Sequence, residues 1–349
     1  MSELDSPGTY SRKPYREAFR VTGEFVEDLR RGLELGRSLD LSVDYAERVL
    51  FIGIGGSGIV CDITARMISE KGFHAEVLRS YSFKEGDWDL VIAVSHSGNT
   101  AETIKPVLRL LDRGARCTFI TSGGMLAKLA ERYEVPAVIV RGDFPTRYCF
   151  ANMIGAALGI AELLGFMKIE LSCDELAEFR SKIAEDVPLE ENPAKILARR
   201  IAESFPIVYA YDEVRYAGYR LKCQLNENAK MYCAFAELPE ALHNDLEALP
   251  EGSLIILPRS FKEGVEVKET VDAFTSLVGG EKIFSVRAES RDELEELLEL
   301  FLFMDYASLY VAVLRKADPL EVPRMTELKR INRVYQKVLR EAEMRIAGR

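Results

Sequence analysis

Between residues 49 and 140, short apolar runs alternate with longer stretches in which apolar residues return every three or four positions. Runs of the first kind suit strands covered on both faces, and stretches of the second kind suit amphipathic helices. The pattern predicts strands at 49–54, 76–79, 90–94, 117–121 and 137–140, with helices at 59–71, 101–113 and 125–132 between them. Strands separated by helices pair in parallel, so the fold class is α/β with a doubly wound, mostly parallel sheet flanked by helices. Ahead of it, residues 15–39 carry apolar and aromatic residues at helical spacing among many charges, which reads as a surface helix. Behind it, Gly142 and Pro145 mark a break, and 151–166 is a helix rich in small residues and suited to close packing.

The pattern then starts again. Strands are expected at 206–210, 253–257 and 282–286, and helices at 211–230, 265–274 and 292–314, after a polar helix and connection over 172–193. Strand, turn, helix and strand recur in the same order, so the second half reads as a second copy of the fold. The division falls near Leu171, giving domains 1–171 and 172–349, with a basic amphipathic helix over 320–349 closing the second.

Chemistry concentrates where strands give way to helices. The strand at 90–94 runs into Ser95-His96-Ser97-Gly98-Asn99-Thr100. Such a turn offers unpaired backbone N–H groups and the positive end of a helix dipole, to which Ser95, Ser97 and Thr100 add hydroxyls, so an anion is its natural guest. The plain alternative is a capped helix start, with Asn99 or Thr100 as N-cap. The strand at 49–54 enters a similar turn, Gly55-Gly56-Ser57-Gly58. In a parallel sheet both turns lie at the carboxyl edge, where open α/β folds bind ligands. A third turn, Gly123-Gly124, reads as structural, and Tyr211-Asp212-Glu213 of the second copy lacks glycines and neutral donors, so one phosphate site is expected. Together the motifs at 53–58 and 95–100 resemble the sugar isomerase (SIS) fold, in which such turns hold the phosphate of a phosphosugar. That resemblance implies two SIS-type domains and assigns phosphate binding to Gly55, Gly56, Ser57, Ser95, Ser97 and Thr100.

Composition narrows the class. The chain has 349 residues, 48% of them hydrophobic, and a net charge of −10, which leaves no basic excess for a nucleic acid or an anionic membrane. Six cysteines form no Cys-x-x-Cys pair, and no His/Cys spacing resembles a zinc site, so the thiols read as reduced and no metal is expected. The glycine pattern at 53–58 fits a dinucleotide fingerprint only loosely, so no cofactor is expected. The first residues have no apolar signal core and no run of eighteen apolar residues occurs, which places the protein in the cytoplasm as an expectation.

Two further residues invite an acid–base role. Glu227 lies near the end of a helix whose Leu221 and Leu225 point into a core, a place for a surface carboxylate or for a half-buried base. His243 lies in a loop between Pro239 and Pro250, where a structural histidine and an acid or base are both in keeping. Asn226-Glu227-Asn228, His243 sixteen residues after Glu227, Arg147 following Phe144-Pro145-Thr146, and the segment 318–329 together resemble the bifunctional phosphoglucose/phosphomannose isomerases, a branch of the phosphoglucose isomerase superfamily found mainly in archaea. The resemblance implies interconversion of glucose 6-phosphate, and of mannose 6-phosphate, with fructose 6-phosphate through a cis-enediolate. It makes Glu227 the base, His243 the ring-opening residue, Arg147 the enediolate partner and Lys329 a group near the ring oxygen. It also implies a homodimer in which His243 reaches the neighbouring subunit's site. Where the family usually reads Asp-Pro-Thr-Pro, this chain has Leu320 and Glu321 after Asp318-Pro319, a departure that bears on the mannose substrate. The competing readings are a non-catalytic phosphosugar sensor, which has no need of these four residues, and an SIS isomerase of another sugar phosphate.

Overall fold

Five fully or largely apolar strands, β1 (Arg48–Ile52), β2 (His74–Leu78), β3 (Leu90–Val94), β4 (Cys117–Thr121) and β5 (Ala137–Ile139), pair in parallel in the order β2-β1-β3-β4-β5. Every residue of β3 and β4 is buried, as a sheet covered on both faces requires. The structure is a computed structural model that describes residues 2–41, 45–82 and 86–348. Helices Ala101–Leu111, Gly124–Tyr133 and Arg333–Ile346 cover one face, with Ile104, Val107, Leu126, Tyr335 and Val338 in a common core with Val91 and Phe119. On the other side helix Gly56–Glu70 packs against β1 and against helix Phe150–Leu163. Helix Phe25–Arg37 packs in turn on Phe150–Leu163 so closely that a Cβ added at Gly32 would stand 2.1 Å from the Asn152 carbonyl oxygen. The expected small-residue helix thus finds a partner with small residues of its own.

The second sheet contains β6 (Phe205–Ala210), β7 (Ala234–Glu237), β8 (Ser253–Arg259) and β9 (Ile283–Arg287), all parallel, in the order β7-β6-β8-β9. Its connectivity repeats β2-β1-β3-β4, so it is the second copy without a fifth strand. Helix Glu293–Leu314 forms its core. Among the described residues this is the one helix long and apolar enough to cross a membrane, yet 94% of its apolar window is buried within the protein. Midway along it, Asp305 accepts two hydrogen bonds from Arg220, at 2.8 and 2.7 Å, and one from Gln224 at 2.7 Å. Burial pushes the Asp305 carboxyl upward against the pull of that guanidinium. Helix Lys13–Gly23 closes this core, with Phe19 against Tyr306 and Tyr310.

The two ends of the chain are exchanged relative to a simple division at residue 171. Met1–Glu24 and Leu171–Glu321 form one compact unit, built on β6–β9, and Phe25–Glu170 and Val322–Arg349 form the other, built on β1–β5. The expected single helix over 15–39 is two helices that part at Glu24, and neither is a mere surface element: Tyr15, Phe19 and Leu29 are buried. The expected closing helix is likewise two, Pro323–Ile331 and Arg333–Ile346, divided at Asn332, whose side chain caps the second by accepting from the N–H groups of Val334 and Tyr335. Both belong to the β1–β5 unit.

Candidate active site

In the β1–β5 unit, the order of strands reverses direction at β1 and β3. Connections leave these two neighbours toward opposite faces, which opens a crevice at their carboxyl ends. Both glycine- and hydroxyl-rich turns lie there. After β1, Gly55 (φ 61°) leads into helix Gly56–Glu70, whose first-turn N–H groups have no partner within the helix. The Ser57 side chain is buried and turned inward: its hydroxyl accepts from the His96 N–H (3.4 Å) and lies 3.7 Å from Met153 Sδ. What Ser57 offers the crevice is therefore its backbone N–H.

After β3, Ser95 is 1% exposed and donates its hydroxyl to Thr100 Oγ1 at 3.0 Å. Ser97 is half-buried and its Oγ accepts from the Asn99 N–H at 3.3 Å. The protons that remain to be given to an anion are those of Ser97 and Thr100. Thr100 is the N-cap residue of helix Ala101–Leu111 without a side-chain cap bond, while Asn99 caps a different helix through the Met125 N–H (3.0 Å). Gly98 has φ 62°, and a Cβ there would stand 1.8 Å from the Gly123 carbonyl oxygen. The Gly123-Gly124 turn is therefore a wall of the 95–100 turn, and no side chain fits between them.

His96 fastens a third segment. Its Nε2 lies 2.9 Å from the Arg141 carbonyl oxygen and its Nδ1 3.3 Å from Thr146 Oγ1. A carbonyl only accepts, so Nε2 carries the proton, and Nδ1 accepts from the threonine hydroxyl. Burial holds the imidazole below its ordinary range, which keeps it in this neutral form. Thr146 opens the short turn Thr146–Tyr148 that bears Arg147, and a Cβ added at Gly56 would lie 3.6 Å from Thr146 Cγ2. Arg147 is 6% exposed, with its guanidinium over the Tyr148 ring at 5.0 Å. One unit thus joins both turns and the segment that bears Arg147 through a neutral histidine. Lys329 belongs to the same unit, on helix Pro323–Ile331, with its ammonium 6.0 Å from the Tyr335 ring.

The matching crevice of the β6–β9 unit is filled by the protein's own carboxylates. Glu296 accepts from Ser260 Oγ and the Phe261 N–H, both at 2.7 Å. Glu263 takes the Tyr211 hydroxyl at 2.5 Å and two bonds from Arg259 at 2.6 and 2.5 Å. Burial would raise the Glu263 carboxyl, but Arg259 and Tyr211 hold it below its ordinary range. These donors are spoken for.

Glu227 is the penultimate residue of helix Arg215–Asn228 and is half-buried. Its neighbours are fixed: Asn228 donates to Ser308 Oγ at 2.9 Å, and Asn226 Oδ1 accepts from the Cys233 N–H at 3.3 Å. This helix begins at the carboxyl end of β6 and runs back along the sheet, so Glu227 stands at the amino edge, beside the chain entering β7. His243 is exposed and follows the other end of β7, where Leu238 N–H donates to the Ala210 carbonyl (2.8 Å) and Tyr209 bonds Asp245 (3.3 Å). At roughly 3.3 Å per residue, the four-residue strand alone separates the two edges by about 13 Å. Within one chain Glu227 and His243 lie at opposite edges of the same sheet.

Comparison with known proteins bears on this arrangement. Residues 190–331 match the family model of the bacterial phospho-glucose isomerase C-terminal SIS domain, and residues 44–133 match that of the SIS domain. A bifunctional phosphoglucose/phosphomannose isomerase of Pyrobaculum aerophilum is 30% identical over 293 residues, covering 82% of this chain and 88% of that protein. The chain belongs to the bifunctional phosphoglucose/phosphomannose isomerase family. Another relative so named, from Aquifex aeolicus, is 29% identical over 298 residues, covering 80% and 89%. A D-glucosamine-6-phosphate 4-epimerase of Sulfolobus acidocaldarius is 32% identical over 225 residues, covering 64% of this chain and 69% of that one. Among solved structures, tagatose-6-phosphate ketose/aldose isomerase from Escherichia coli superposes with a TM-score of 0.67 at 14% identity, over 90% of this chain and 96% of that one, a likeness of fold.

Of the residues expected for this phosphoglucose/phosphomannose isomerase relative, the structure gathers Gly55, Gly56, Ser57, Ser97, Thr100 and Arg147 in one unit, and Ser95 beneath them. It sets Glu227 and His243 in the other unit, apart from each other. Sequence reasoning missed Thr146 and Asn152, which hold the Arg147 segment: the Asn152 side chain accepts from the Arg141 N–H at 2.9 Å.

Proposed function

We propose that this chain is a hexose 6-phosphate isomerase that interconverts glucose 6-phosphate, and mannose 6-phosphate as a second substrate, with fructose 6-phosphate. The observation that carries the reading is the joining of both anion turns to the Arg147 segment through neutral His96. The substrate phosphate takes the N–H groups of Gly55, Gly56 and Ser57 and the hydroxyls of Ser97 and Thr100, with Ser95 orienting Thr100. Glu227 moves the proton between C1 and C2, Arg147 holds the enediolate charge, His243 assists ring opening and Lys329 acts near the ring oxygen. A carboxylate that shuttles a proton and a fixed guanidinium suffice for this chemistry, and no step calls for a metal or cofactor.

The separation of Glu227 from His243 supports a homodimer with shared sites, since the histidine that serves Glu227 must then come from a second copy. Gly55, Gly56, Ser57, Ser97, Thr100, Arg147 and Lys329 belong to the β1–β5 unit, and Glu227 and His243 to the β6–β9 unit. A cytoplasmic location follows from the substrate class. The test is a coupled assay of purified protein on glucose, mannose and glucosamine 6-phosphates in the presence of chelator. Fructose 6-phosphate formation from glucose 6-phosphate is expected, and less from mannose 6-phosphate because of Leu320 and Glu321. Turnover of glucosamine 6-phosphate alone would replace this reading with that of the epimerase relative.

A further inference from the structure

We propose that Lys230 is a positioning residue for the isomerisation proposed above, on which this inference rests: its ammonium ties the end of the Glu227 helix to the chain that leads into the Lys329 helix. Helix Arg215–Asn228 ends at Ala229, and Lys230 follows with φ 52°, a left-handed conformation that costs a lysine and suits glycine. Three other described non-glycine residues hold such an angle, so what marks Lys230 is where its side chain goes. Its Nζ donates to the carbonyl oxygens of Glu227 (2.6 Å), Glu321 (2.8 Å) and Asp318. An ammonium has three donors, and here three carbonyls from two segments meet them. Lys230 is exposed, yet its ammonium reaches main-chain carbonyls of two separate segments.

The fastened point matters for two reasons. Glu227 sits on the last turn of its helix, where carbonyls lack intrahelical partners and fraying begins, and Lys230 caps its own carbonyl. Arg315 adds a second cap, donating from Nε to the Ala229 carbonyl at 3.1 Å. On the other side, 318–321 is a tight turn in which the Leu320 N–H donates to Asp318 Oδ1 at 2.8 Å. Glu321 is the last residue of its unit, Val322 the first of the next segment, and Lys329 stands on the helix that starts at Pro323. Lys230 therefore sets where the base sits and where the chain departs for the closing lysine.

The test compares K230G, K230M and K230R with wild type in the full-length protein. Glycine suits the backbone angle and lacks the ammonium, so K230G is expected to keep its thermal midpoint while kcat falls about 10- to 100-fold, the range for a small misplacement of a reacting group. KM for fructose 6-phosphate should stay within about threefold, because the phosphate turns belong to the other unit. K230M should fall with K230G, and K230R should recover part of kcat, its planar fork reaching some of the divergent carbonyls. Amide exchange at residues 318–322, measured without substrate, should quicken in K230G and K230M. Wild-type kcat in K230G overturns the proposal, as does a fall in kcat with unchanged exchange at 318–322. Absence of hexose phosphate turnover in wild type overturns the functional reading and this role with it, an outcome the wild-type control separates from the other two.

Discussion

Gly98→Ala probes how the turn at 95–100 is built. The added methyl would lie 1.8 Å from the Gly123 carbonyl oxygen, where ordinary contact begins near 3.4 Å, so the two turns must part by about 1.5 Å. Alanine must also hold φ near 62°, which costs about 1 kcal/mol. Overpacking of a tight site adds about 1–3 kcal/mol, giving a loss of about 2–4 kcal/mol in the stability of the β1–β5 unit. The displacement strikes the bonds that close the turn, Leu126 N–H to the Gly98 carbonyl (2.9 Å) and Met125 N–H to Asn99 Oδ1 (3.0 Å), so Ser97 and Thr100 move with it. Urea unfolding followed by circular dichroism gives the stability, and titration calorimetry with fructose 6-phosphate gives the binding. A variant within about 0.5 kcal/mol of wild type, with unchanged affinity, would refute the interlocked-turn argument.

Two other outcomes follow from the same geometry. His96 is buried and neutral in the fold with its pKa lowered from 6.5, so the unfolded chain takes up the proton first on acidification. Its contribution to stability is full above about pH 6.5 and lost as pH falls below it, by up to about 1.4 kcal/mol per pH unit; H96Q should flatten that part of the urea-derived pH profile, and identical profiles would count against the neutral bridge. If sites are shared between copies, equal mixing of inactive E227Q and H243A protein should restore about a quarter of wild-type activity, since half the dimers are mixed and each holds one intact site of two. No recovery after verified subunit exchange would place both residues in one chain's site.

β1, β3 and β4 were legible because they are buried on both faces, and five consecutive apolar residues such as those of β3 leave little else to infer. β7 was not: Ala234–Glu237 is an edge strand of half-buried and exposed residues, with nothing in its pattern to set it apart from a loop. The tail shows a sharper limit. Tyr335, Val338 and Ala342 mark an apolar stripe that any reader of periodicity finds, but a stripe says that a face is covered and not by what. That it covers helices of the first sheet rather than the second is a tertiary fact. The candidate site divides in the same way. Hydroxyls and glycines at 95–100 announced an anion turn, yet only the fold shows that Ser95 and the Ser57 side chain point inward and that His96 is a strut. The distance between Glu227 and His243 was likewise hidden, because sixteen residues that include a strand carry the chain from one sheet edge to the other.

Whether Glu227 carries a proton between adjacent carbons of a hexose 6-phosphate is tested most directly by turnover of C2-deuterated glucose 6-phosphate by wild type and by E227Q, with deuterium followed in product and solvent. The amide keeps the size of the carboxylate and removes its basicity, so E227Q should bind fructose 6-phosphate as wild type does while kcat falls by about three orders of magnitude or more. Wild type should release part of the deuterium to solvent. Near-normal turnover by E227Q, with all deuterium retained at C1 of the product, would contradict both the base and the enediolate.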